Sequence, residues 1–169
     1  MIKNVVLSDR KIRIAVVGCG RISKKHFESI KYHDEQLELI SVCDTDPGIL
    51  SETHEKYGVP TYLDLDDMVQ SEELDLVVLC TPSGLHANQA ELAAKYGVNV
   101  ITEKPMATRW QDGMRMVKAC DDAGVRLFVV KQNRHNNTLK LLKNAIEKGR
   151  FGRIYMVNIN VFWTRPQEY

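Results

Sequence analysis

The residues most able to do chemistry fall at the carboxyl ends of short apolar runs. Val17-Gly18-Cys19-Gly20-Arg21-Ile22-Ser23 is a G-x-G-x-x-S turn that leads from one such run into a helical pattern. Gly18 permits a tight turn, and Gly20 lets a pyrophosphate approach the backbone. Arg21 and Ile22 open a helix whose N-terminus offers N–H groups and partial positive charge. Ser23 stands where a third glycine is usual and is small enough for close helix–strand packing. The next run ends in Asp44, 24 residues after Gly20. A carboxylate there accepts hydrogen bonds from ribose hydroxyls and repels a 2′-phosphate, which favours NAD over NADP. No Arg or Lys occupies the turn that follows, Thr45-Asp46-Pro47. The plainer alternative is a tight turn at the glycines and a helix cap at Asp44.

Two further run ends are equipped. Cys80-Thr81-Pro82-Ser83-Gly84-Leu85-His86 closes one run and opens a helix. Ligands of open α/β sheets sit outside the carboxyl ends of strands, so Thr81 and His86 are placed to bond a cofactor or substrate; His86 as a helix cap is the alternative. Thr102-Glu103-Lys104-Pro105 closes another run. A lysine beside a cofactor, next to a glutamate and fixed by proline, can act as an acid/base or polarise an alcohol; alone it reads equally as a surface charge. Cys19, Cys43 and Cys80 fall at the same run ends, where a buried small thiol is the usual role. His26, His33 and His54 lie on helical patterns without paired ligands and read as surface residues. The basic series Lys140, Lys143, Lys148, Arg150 and Arg153 reads as a solvated face that would also attract an anionic nucleotide sugar.

Positioning these groups requires alternating elements. Ile12 to Val17, Leu37 to Cys43, Leu74 to Cys80, Val98 to Thr102 and Val125 to Val130 are continuous apolar runs that fit strands covered on both faces. Between them, helical patterns span Ile22 to Tyr32, Gly48 to Tyr57, Leu85 to Tyr96 and Thr108 to Ala123. The last opens with a capping box, Thr108 and Gln111, and shows apolar spacing at Trp110, Met114 and Val117. Gly97 and Gly124 stand where left-handed C-cap residues are wanted. Right-handed crossovers then make an α/β, doubly wound Rossmann sheet over residues 1–134. From 135 to 169 the pattern changes. A helix over Thr138 to Lys148 precedes period-two alternation at Tyr155, Val157, Ile159, Val161 and Trp163. Such alternation predicts a strand with one buried face, the start of an incomplete antiparallel α+β second domain.

Composition closes off other classes. Of 169 residues, 44% are hydrophobic and 27% charged, which excludes a disordered polar chain. Net charge +1 removes the electrostatic case for nucleic acid or a charged membrane surface. The four cysteines show no Cys-x-x-Cys spacing, so neither a metal site nor a disulfide framework is expected. Unpaired thiols, no signal-peptide pattern and no span-length apolar run fit a soluble cytoplasmic protein.

The strand–GxGxxS turn, C-D-x-D at 43 to 46, T-P-x-x-x-H at 81 to 86 and E-K-P at 103 to 105 together resemble the Gfo/Idh/MocA oxidoreductase family. Residues 129–134 and 161–166 are most similar to its UDP-N-acetylglucosaminuronate 3-dehydrogenase branch, which serves lipopolysaccharide sugar synthesis. The resemblance implies NAD as cofactor, a nucleotide-sugar substrate and Lys104 as the active-site lysine. It also implies that Glu103 orients Lys104 and that the Lys104–Pro105 bond is cis. Thr81, Pro82 and His86 would line the cofactor, Gln132 and Asn133 would face the nicotinamide, and Trp163 and Arg165 would reach back to it. Members are typically twice this long and supply a further Asp and His from a downstream helix. The chain alone is therefore expected to be weak or inactive, and to form homo-oligomers through its C-terminal sheet. The alternatives are a dehydrogenase of another polyol, such as inositol, and a nucleotide-binding module without catalysis.

Overall fold

The computed structural model describes residues 9–164 and 167. The chain divides into two units, the first ending at Val130 and the second starting at Lys131. The first alternates strands and helices: β1 (Ile12–Val17), α1 (Ser23–Tyr32), β2 (Leu37–Cys43), α2 (Pro47–Tyr57), β3 (Thr61–Tyr62) and α3 (Leu65–Ser71). It continues with β4 (Leu76–Leu79), α4 (His86–Lys95), β5 (Asn99–Thr102), α5 (Trp110–Ala123) and β6 (Leu127–Val129). The six strands form one sheet in the order β3-β2-β1-β4-β5-β6, and every described pairing is parallel. From β1 the chain winds outward one way through β2 and β3. It then returns to β4 and winds the other way. Connections at the carboxyl ends of β1 and β4 therefore diverge and leave a crevice between them.

Side-chain alternation assigns the two faces. Ile14, Val16 and Val78 pack on one side with Phe27 and Ile30 of α1 and Leu50 of α2. Ala15, Val17, Val77 and Leu79 pack on the other with α3, α4 and α5. Strand residues are buried on both faces, which explains why the sequence shows unbroken apolar runs here. The amino ends of the strands are joined by a polar ladder. Asp75 accepts the Arg13 N–H at 2.8 Å and pairs with Arg10, and its carbonyl accepts both the N–H and the side-chain amide of Asn99. Asn99 Oδ1 in turn accepts the Arg126 N–H at 2.9 Å.

β1 and β2 lie where the apolar runs place them, and the other three anticipated strands form within their runs. Gly97 and Gly124 adopt φ of 74° and 69°, as C-cap positions require. Two elements are additional. β3 has only two residues, and α3 is a two-turn helix whose N-cap Asp64 accepts from the Asp66 N–H at 2.7 Å.

The capping box does not form. Arg109 takes the N-cap position of α5 without a side-chain cap, which leaves Thr108 one residue too early. The inward face of α5 is also not the expected one. Gly113, Met116 and Cys120 are buried, whereas Trp110, Met114 and Val117 are exposed. Met116 and Cys120 join Ala90, Ala93 and Ala94 of α4 in one core cluster, and a Cβ at Gly113 would lie 3.0 Å from the end of the Met106 side chain.

The second unit contains a 3₁₀ turn (Gln132–His135) and α6 (Asn137–Glu147), whose N-cap Asn136 accepts from the Thr138 N–H. The strand expected over Tyr155 to Trp163 is absent: residues 154–163 belong to no ladder and are exposed. Period two fits a strand, but a strand exists only against a partner, and no other described segment of this unit offers one.

Candidate functional site

The turn after β1 is built around two glycines with different duties. Gly18 has φ of 86°, and a Cβ there would lie 2.9 Å from both the Cys80 carbonyl carbon and the Thr81 nitrogen. The carboxyl turns of β1 and β4 therefore touch backbone to backbone, and only glycine fits. Gly20 has nothing within 4 Å of an added Cβ, so its backbone faces open space. The third position works through its hydroxyl: Ser23 is fully buried and its Oγ donates to the Gly20 carbonyl at 2.6 Å. The N-cap of α1, Ile22, gives no side-chain cap, and the helix has no acidic residue in its first turn and presents Lys24 and Lys25 there. Cations at a helix N-terminus oppose the helix dipole, so this end suits an anion. Beside it, Gly20, Arg21, Lys24 and Lys56 line a cleft of about 550 Å³.

Asp44 follows β2 and closes the turn from the side. Its Oδ2 accepts the Cys19 N–H at 2.7 Å and its Oδ1 the Asp46 N–H at 3.0 Å. The cap of α2 is Asp46, which accepts the Gly48 N–H at 2.8 Å. The helix-cap alternative for Asp44 therefore falls away. Its carboxylate is held by two backbone donors and remains half-exposed at the strand end.

The loop after β4 is tied down from within. Thr81 Oγ1 donates to Gln89 Oε1 at 2.5 Å, and Pro82 is exposed beside it. His86 departs from both readings of the sequence. It is fully buried, and α4 carries no side-chain cap. Its Nε2 lies 2.9 Å from the Thr81 carbonyl; its Nδ1 lies 2.9 Å from Thr102 Oγ1 and 3.2 Å from the carbonyls of Pro105 and Met106. With its proton on Nε2 the ring donates to the Thr81 carbonyl and accepts from Thr102 Oγ1, its two shortest contacts. His86 thus fastens the loop after β4 to the loop after β5 instead of reaching into the crevice.

That second loop carries Lys104. The Lys104–Pro105 bond is cis. Lys104 is exposed at the carboxyl edge, and its ammonium group has no ion-pair partner among the described residues. Glu103 is buried: its Oε2 accepts the Lys104 backbone N–H at 3.2 Å, and its Oε1 lies 3.0 Å from His26 Nε2. His26 is therefore no surface histidine. The signal was its spacing, since it lies three residues after Ser23 and next to Phe27 on the inward side of α1.

Three thiols stand at these strand ends, Cys19 and Cys43 buried and Cys80 half-buried. Burial, reinforced by Asp44, pushes Cys19 up to about 11. Burial pushes Cys43 and Cys80 up to about 12, with the Glu103 carboxylate adding to the effect at Cys80. Such thiols stay protonated and are poor nucleophiles.

Gln132 and Asn133 are exposed in the 3₁₀ turn of the second unit, and Trp163 is exposed in its irregular segment. Arg165 lies outside the described residues. Among the described residues no three His, Cys, Asp or Glu side chains gather as a metal site, and no helix is long and apolar enough to cross a membrane.

The first unit fits a dinucleotide on its own observations. It offers an open backbone at Gly20, an uncapped and acid-free helix start, and a braced carboxylate at the end of β2. Comparison with known proteins agrees. A WlbA dehydrogenase from Bordetella pertussis, solved in complex with NADH and UDP-GlcNAcA, is 60% identical with a TM-score of 0.93, over 95% of this chain and 49% of that one. D-apiose dehydrogenase of Paraburkholderia graminis is 32% identical over 85% of this chain and 38% of its own length. Myo-inositol 2-dehydrogenase of Thermotoga maritima is 32% identical over 88% and 44%. The chain thus spans less than half the length of each. The model of the Gfo/Idh/MocA oxidoreductase family, with its NAD-binding Rossmann fold, matches residues 12–131, and the chain belongs to that family.

Proposed function

We propose that this chain serves an NAD-dependent dehydrogenase that oxidises the 3-hydroxyl of UDP-N-acetylglucosaminuronate, a step in lipopolysaccharide sugar synthesis. The observation that carries this reading is the 60% identity to a WlbA dehydrogenase that binds NADH and UDP-GlcNAcA. NAD, when bound, supplies the hydride acceptor. The backbone from Gly18 to Ile22 receives the pyrophosphate at the start of α1, and Asp44 accepts the adenosine ribose hydroxyls. Thr81 and Pro82 line the crevice between β1 and β4. Lys104 hydrogen-bonds the substrate hydroxyl and stabilises negative charge as it develops on that oxygen, an effect confined to the transition state.

A second reading is supported by myo-inositol 2-dehydrogenase, 32% identical to this chain, and would replace the nucleotide sugar with a polyol. NADH formation from UDP-N-acetylglucosaminuronate and from myo-inositol, each with the wild-type chain and Lys104→Ala, separates the two. Lys104-dependent NADH from the nucleotide sugar supports the first reading, and from inositol the second. Tight NAD binding without turnover of either substrate favours a module that binds without catalysis.

A further inference from the structure

The His26–Glu103 contact joins two parts of the site that the sequence keeps 77 residues apart. Glu103 leaves β5, one strand beyond β4, yet its carboxylate reaches past the end of β4 to α1, the helix that follows the phosphate turn. Its main chain is fixed, since the Glu103 N–H donates to the Leu79 carbonyl at 3.0 Å. The remaining freedom is in the side chain, and both oxygens are committed: Oε1 to His26 and Oε2 to the backbone N–H of Lys104. The Glu103 side chain is 9% exposed and that of His26 18%. A carboxylate that secluded needs its donors; when one is removed the group reorients toward water. That change releases the Lys104 N–H. The chain of contacts thus runs from the nucleotide helix, through an imidazole and a buried carboxylate, to the main chain of the lysine.

We infer that His26 is a positioning residue for Lys104: through Glu103 it fixes the lysine's backbone relative to the helix at the phosphate turn. The inference rests on the role proposed above for Lys104. His26 touches neither substrate nor cofactor in this scheme. It sets the direction from which the ammonium group leaves the loop, and small errors of position are costly in catalysis.

The test follows the Lys104 amide in the isotope-labelled 169-residue chain by NMR hydrogen exchange, with NADH affinity measured by fluorescence. His26→Leu is expected to speed exchange of the Lys104 amide about tenfold, the worth of one hydrogen bond to a charged acceptor. Amides within β1 and β4 should keep their rates. His26→Gln, whose side-chain amide can still donate to Glu103, is expected to restore slow exchange at Lys104, which a role in packing alone would not produce. If the leucine variant does not fold, His26→Asn, too short to reach Glu103, takes its place with the same expectation. Unchanged Lys104 exchange in a folded His26→Leu or His26→Asn protein overturns the inference. So does a glutamine variant that exchanges as fast as leucine. The catalytic reading fails separately, through normal turnover of Lys104→Ala with the exchange results intact.

Discussion

In the function proposed above, replacing Asp44 by alanine removes three things at once. The Cys19 N–H, 2.7 Å from Oδ2 and buried, loses its acceptor. An unsatisfied buried donor costs about 1–3 kcal/mol, so the urea midpoint should fall measurably. Loss of a charged acceptor for the ribose hydroxyls weakens NAD binding by about 1.5–3 kcal/mol, or roughly 10–150-fold. Repulsion of a 2′-phosphate disappears as well. Two unit charges about 5 Å apart at an effective dielectric near 20 repel by roughly 3 kcal/mol, and the half-exposed position reduces this to about 1–2 kcal/mol. The wild-type chain should therefore prefer NAD over NADP by about 5–30-fold, and the alanine variant should show little preference. Asp44→Asn separates the contributions. It keeps an oxygen for Cys19 and most of the stability, yet loses the charge and with it the discrimination. Fluorescence titration of both reduced cofactors against the three proteins is the assay. Wild-type protein that binds NADPH as tightly as NADH, or an unchanged ratio in Asp44→Ala, would refute the reasoning.

Three other outcomes can be checked. Gly18→Ala should destabilise the chain by about 3 kcal/mol in urea unfolding, since a left-handed φ and two backbone atoms 2.9 Å away oppose its Cβ. Stability should decline as pH rises from about 9 toward 11: Cys19 ionises near 9.0 in the unfolded chain but near 11 when folded, so only the unfolded state gains from losing the proton there. Unfolding midpoints measured across that range check this, and Ellman's reagent at pH 8 should find the buried Cys19 and Cys43 only after denaturation. Light scattering at high concentration should report species heavier than 19.3 kDa, because Tyr155, Met156 and Phe162 expose apolar surface outside the sheet; a clean monomer counts against it.

The sheet was legible because its strands are buried on both faces, and a parallel strand so covered must be written in Val, Ile and Leu. β3 was illegible for the opposite reason, having two residues and no run at all. For α5, apolar spacing misled. Trp110, Met114 and Val117 have the right period, but Gly113, Met116 and Cys120 form the stripe that is buried. Spacing reveals that a helix is amphipathic; it does not say which of two stripes a small-residue neighbour will select. At the site, groups at strand ends were readable because the topology alone exposes them there. Their connections were not. His26 and Glu103 are 77 residues apart, and His86 meets Thr102 Oγ1 of the next strand only once the sheet has formed. Pairings of that kind carry no local signature.

The polar ladder at the amino ends of the strands has a consequence for exchangeability. Arg13, Asp75, Asn99 and Arg126 lock the register of β1, β4, β5 and β6 from the edge opposite the crevice. Register held there does not depend on what the carboxyl loops contain. The turn after β1 and the loops after β4 and β5 can thus be regarded as cartridges mounted on a fixed rack. A loop grafted from a relative of different ligand preference meets a sheet already in register. What limits such a graft is loop-to-loop fit: Gly18 against Cys80 and Thr81, His86 against Thr102, and Glu103 against His26. Those loops are transferable as a set, whereas a single one moved alone breaks a contact with its neighbours.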